Sequence, residues 1–249
     1  MAAMEDVTAP WTMVLNIGWR PTPRVYEGRN RLLLLLESQK RLRAFKTEDE
    51  VVRAMVSRDF EIMLSPAHIA IADASGTGES EILSAILDAA RECVNFKATS
   101  VTATFQHLIP IGSGASYEAV RSTSGERLFG SLAKKYPFTD AAILVDGKSL
   151  NRGTLFRAEF GIVDREESLG RLTQTFGRIR NGEEPDFSHV NFSERQVPDV
   201  GLYVVSNWHR HEKIPVNTDS QWFVNLAQQL RAEAGGLAEE TYKHISADG

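Results

Sequence analysis

Two histidines one residue apart, His209 and His211, close a segment of alternating apolar residues. In an extended strand a period of two puts both imidazoles on one face, as a metal site on a sheet requires. A complete site needs three or four ligands. Glu212 follows directly and points away if the strand continues, so His107 or His189 would have to arrive through tertiary folding. A polar strand end is the plainer reading, and no metal is expected.

His107 lies on the apolar side of a predicted strand with Val101, Ala103, Phe105 and Ile109. A buried neutral imidazole suits general acid–base work near neutral pH. No Ser, Cys or Asp stands beside it in a known catalytic arrangement, so a core histidine bonded to backbone is the commoner outcome. Two Gly-containing loops, 74–80 and 112–116, could present backbone N–H groups to a phosphate. Neither carries the Gly-Lys-Ser/Thr ending of a P-loop or the three spaced glycines of a dinucleotide fingerprint. Glu79 and Glu81 would also repel an anion, so both loops read as turns and no cofactor is expected. Asp140, Asp146, Asp164, Glu166 and Glu167 are scattered in or beside expected loops and take no role, since a carboxylate pair depends on distances in space.

The segment 29–46 carries Arg29, Arg31, Lys40, Arg41, Arg43 and Lys46 against Glu37, a local charge of +5 in a chain of net charge −5. If 30–45 is a helix, several of these groups share its outer face and could meet nucleic acid or an acidic partner. No helix-turn-helix spacing or aromatic platform accompanies them, so solvated surface is favoured and nucleic acid is not the expected partner.

The elements that must hold these groups are easier to read. Residues 60–64 and 68–72 form two short strands, a Gly-rich turn leads into an amphipathic helix over 80–95, and a strand follows over 100–109. Leu83, Ile86 and Ala90 should face the sheet, while Thr102, Thr104 and Gln106 should face water. Residues 13–19 alternate as a half-buried strand. The leucine-rich stretch 30–45 favours helix by propensity, although 32–36 alone could be a buried strand. Thr47 with Glu50 has the spacing of a capping box and predicts a short helix over 48–56.

Further on, helix is expected over 125–136. Strands are expected over 141–145, 154–163, 189–196 and 200–209, with a turn or loop over 180–185. Asp146-Gly147 reads as part of a joint between strands. The last helix begins at Asp219, and Gly235-Gly236 should break it, leaving 237–245 as a separate apolar piece. That piece could dock on its own core or on a neighbour, and a dimer using it is the expectation.

The whole reads as an α+β fold, with mostly antiparallel strands and amphipathic helices packed on one face. It fits one domain over 1–249 or two lobes of about 1–115 and 116–249, and whether the halves are a duplication stays open. Hydrophobic residues make up 42% and charged residues 24%, ordinary values for a globular protein. The net charge of −5 argues against a dedicated polyanion binder. The single cysteine, Cys93, cannot form an intramolecular disulfide, and no secretory signal or stretch of ~20 apolar residues is visible, so a cytoplasmic protein off the membrane is expected. The function expected is a non-enzymatic binding or assembly protein, acting through a protein partner or self-association. The alternatives are a small-molecule enzyme, a hydrolase using His107 or the His209/His211 pair, and nucleic-acid binding through Arg31, Lys40, Arg41, Arg43 and Lys46.

Overall fold

The computed structural model describes residues 8–48, 50–57, 59–111, 114, 116–130, 135, 142–150, 153–177, 197–210, 212–215 and 218–246. In chain order the elements are β1 (Thr12–Trp19), α1 (Arg24–Ser38), β2 (Ala44–Glu48), β3 (Val51–Met55), β4 (Phe60–Leu64), β5 (His68–Asp73) and α2 (Ser80–Val94). There follow β6 (Ala98–Pro110), α3 (Tyr117–Phe129), β7 (Ala142–Lys148), β8 (Thr154–Asp164), α4 (Arg165–Gly177), β9 (Val200–Arg210) and α5 (Ser220–Ser246).

Among the described residues nine strands join one sheet in the order β2-β3-β4-β5-β1-β6-β9-β8-β7. Every neighbouring pair is antiparallel, and the fold is α+β as the sequence implied. Each half of the chain lays down strands in the same way. β1 and β6 lie side by side at the middle, each is followed by a helix and a meander, and the last strand of each meander returns beside its founder. Among the described residues the edges of the sheet are therefore β2 and β7.

Alternation decides which face each strand gives to the helices. Leu15 and Ile17 of β1, Ile71 of β5 and Phe105 of β6 pack in one cluster with Leu32 and Leu36 of α1, Leu83 and Ile86 of α2, and Phe223 and Leu230 of α5. Leu83, Ile86 and Ala90 are each 0% exposed, as the helical spacing required. Burying one such isoleucine or leucine contributes roughly 1.5–3 kcal/mol. α4 covers part of the opposite face, where Leu169 and Leu172 pack over Val14, Ala72, Leu108 and Tyr203.

Several boundaries differ from the sequence reading, each for a local reason. α1 begins immediately after Pro23 and ends at Ser38, not at residue 45. Lys40 takes a left-handed conformation (φ 57°), Lys40 N–H donates to the Glu37 carbonyl, and Arg41 N–H donates to the Leu36 carbonyl. That is the Schellman pattern of helix ending, made here without glycine. The capping-box spacing of Thr47 and Glu50 belongs instead to a hairpin between β2 and β3. β3 pairs with strands on both sides and buries Val52 and Ala54, so long-range pairing overrides the helix signal.

α3 starts at Tyr117, ahead of the expected 125, because the Ser116 hydroxyl caps it by accepting from Ala119 N–H at 3.3 Å. Asp146-Gly147 lies inside β7, where Gly147 leaves room for the Phe156 ring on the neighbouring strand. α5 runs unbroken through Gly235-Gly236. Its second half buries Ala238 and Ile245 on the protein's own sheet with Tyr242 against them, so it is not a free surface for a neighbour. α4 was not anticipated from the sequence. The expected strand over 189–196 and loop over 180–185 lie outside the described residues.

Candidate functional site

His107 points to the helix-covered face and is 0% exposed. Burial, the largest cause, lowers its pKa to about 4; the Thr8 and Val204 backbones oppose this and the Arg231 charge adds to it. Neither ring nitrogen makes a hydrogen bond of ordinary geometry among the described residues. The imidazole is therefore neutral at physiological pH, and among the described residues no hydroxyl or thiol is joined to it as a nucleophile would be.

The chain near residue 8 is clamped in place above this ring. Trp11 N–H donates to the Gln106 carbonyl at 2.7 Å, prolonging the pairing of β1 with β6. A methyl group at Gly235 would sit 2.6 Å from the Thr8 carbonyl oxygen, and one at Gly76 would collide with the Pro10 carbonyl. The two glycines let the segment pass between α5 and the loop after β5.

That loop, the first Gly-rich candidate, is organised around Asp73, which is 0% exposed. Its carboxylate accepts from Ser75 N–H at 2.8 Å, Ser75 Oγ at 2.5 Å and Gly78 N–H at 2.7 Å. Burial pushes the Asp73 carboxyl up, and these hydrogen bonds pull it back. Arg231 Nε donates to the Gly76 carbonyl at 2.9 Å, and Gln228 Nε2 donates to that of Gly78. The N–H groups of Ser75, Thr77 and Gly78 all point at side chains within the loop, so they are not turned outward to an anion.

The sequence reading missed a polar network on the other face. Gln106, expected to face water, is 3% exposed beneath α4. It accepts from Thr12 Oγ1 at 2.5 Å and donates to Tyr203 Oη at 2.7 Å. Arg171 lies 4.9 Å from the Tyr203 ring centroid and bonds Glu159 at 3.0 Å and Glu167 at 2.8 Å. Asp164 caps this helix by accepting from Glu167 N–H at 2.8 Å. The Asp164-x-x-Glu167 spacing was a visible capping signal. The network fixes α4 to the sheet.

The other sequence candidates do not converge. In the β6–β9 register His107 pairs with Val204 and His209 with Thr102, which places the two histidines on opposite faces. His209 is exposed, His211 lies outside the described residues, and among those described no three His, Cys, Asp or Glu side chains could hold a metal together. The basic residues form no helical stripe. Arg31 is on α1 and pairs with Glu92 at 3.3 Å, Lys40, Arg41 and Arg43 lie in the connection after α1, and Lys46 is on β2. The Arg31–Glu92 pair is 66% and 58% exposed at its side chains, so it contributes little to stability.

The two sheet edges differ in chemistry. β2 presents Lys46 and follows Arg41 and Arg43, and cationic side chains of this kind discourage further strand pairing. β7 carries the run Ile143-Leu144-Val145 on an edge whose outer side has no backbone partner among the described residues. Leu144 is 59% exposed, its neighbour Val145 is also exposed, and Leu150 and Leu155 are exposed toward the far end of the β7–β8 hairpin. Glu233 of α5 holds the β7–β8 connection, accepting from Ser149 Oγ at 2.7 Å and Leu150 N–H at 2.9 Å. Asp146 is engaged by Arg157 at 2.7 and 3.1 Å. Among the described residues no helix is long and apolar enough to cross a membrane. No protein-family model matches the chain, and no curated protein is significantly similar to it.

Proposed function

We propose that this is a non-enzymatic binding and assembly protein that works through the β7 edge of its sheet. The observation that carries the reading is the Ile143-Leu144-Val145 run, with Leu144 and Val145 exposed, on a strand whose outer side has no backbone partner among the described residues. An extended strand of a partner adds there by main-chain hydrogen bonds, with apolar side chains supplying specificity. Such an edge is an aggregation liability unless a partner covers it. The Glu233 contacts hold the adjoining turn in advance, which reduces the ordering cost of binding.

The test is a photo-reactive amino acid placed at Leu144, with Leu34, 65% exposed on α1, as the control position. A discrete crosslinked adduct in the native host from position 144, and none from 34, is expected. Equal or absent crosslinking at the two positions contradicts the reading.

A further inference from the structure

Resting on the edge reading above, we propose that the occupant of the β7 edge is a second copy of this chain, joined as an antiparallel β7–β7 pair with its two-fold axis at Leu144. A two-fold pair places the same strand on both sides, so the strand must be complementary to itself. The register centred on Leu144 meets that demand. It sets Leu144 opposite Leu144 of the second copy and Ile143 opposite Val145, so apolar residues meet apolar residues on both faces of the joined sheet. Ala142 then lies opposite Asp146, and the small side chain leaves the Asp146–Arg157 ion pair undisturbed. A centre one residue later would set Leu144 against Asp146 and Ile143 against Gly147, with no such match.

Charge agrees with this choice. Asp146 is neutralised by Arg157, and Lys148 lies beyond the apolar run, so two copies bring no net like charge together along the strand. The repulsion between two chains of net charge −5 is screened beyond about 8 Å at physiological ionic strength. The opposite edge strand, β2, has no run of three large apolar residues to set against its own copy: its sequence is Ala44-Phe45-Lys46-Thr47-Glu48. Pairing through β7 alone is isologous and closes at two subunits, whereas pairing β7 to β2 would continue into a filament.

Three measurements on the full chain separate the outcomes. Sedimentation at tens of micromolar should give a dimer, and Leu144→Lys should weaken its dissociation constant at least tenfold with an unchanged circular dichroism spectrum. In a Cys93→Ser background, Leu144→Cys should oxidise to a disulfide-linked dimer, and Leu34→Cys should not. The photo-adduct at position 144 should have twice the mass of the chain. A monomer at these concentrations, or a dimer insensitive to Leu144→Lys, overturns the second-copy proposal. An adduct of another mass overturns it while leaving the edge reading standing, and the absence of any adduct at 144 removes both.

Discussion

Gly235 of α5 faces the carbonyl oxygen of Thr8, with room for a hydrogen atom and not for a methyl group. Gly236, its neighbour, has nothing within 4 Å of where its Cβ would be. The pair separates two uses of glycine within one helix. Gly235→Ala should destabilise the protein by roughly 1–3 kcal/mol through overpacking. Gly236→Ala should stabilise it by about 0.5–1 kcal/mol through helix propensity. Urea unfolding of both variants reads the contrast, and equal effects would mean that the Thr8 contact is absent.

Burial lowers the pKa of His107 from 6.5 to about 4, so the unfolded chain binds a proton that the folded chain refuses. The contribution is fully present above the unfolded value and is lost as pH falls from 6.5 toward 4, amounting to about 3 kcal/mol at the low end. His68, lowered by its own burial, acts in the same direction, while the raised Asp73 carboxyl acts in the opposite one at lower pH. The difference between wild type and His107→Gln isolates the contribution of the imidazole. Stability of the wild type should fall more steeply than that of the variant between pH 7 and 5; parallel curves would show that water reaches the ring.

Ile86→Ala should cost on the order of 2–4 kcal/mol, because the side chain is 0% exposed between α2 and the sheet. Asp164→Ala should cost about 1 kcal/mol as the loss of a helix cap. Chemical denaturation checks both, and a loss of only a few tenths at Ile86 would place a different face of α2 against the sheet.

What could be read in the sequence was whatever depends on the periodicity of one element. The alternation of 13–19 and the spacing of Leu83, Ile86 and Ala90 name the buried faces because a strand or helix has one apolar side. The failures came where a distant segment decides. Gly235-Gly236 resembles a break until Thr8 is placed against it, and Asp146-Gly147 resembles a turn until Phe156 fills the space beside it. Thr47 and Glu50 carry a helix signal that the pairing of β3 with β2 and β4 overrides. Gln106 is hidden from water by α4, whose own start at Asp164-x-x-Glu167 was legible and went unread. For the candidate site, residues 141–145 were read as a strand, but nothing local marks that strand as the edge of a sheet. Edge position follows from the order of the described strands, which long-range pairing decides.

The central claim is that β7 is a pairing edge, and amide hydrogen exchange followed against protein concentration tests it most directly. Between about 1 and 100 µM, a range spanning typical weak-to-moderate dimer affinities, the amides of β7 should become progressively protected while those of β2 keep a constant rate. Exchange in β7 that does not change with concentration, or protection that grows in β2 instead, would contradict the account.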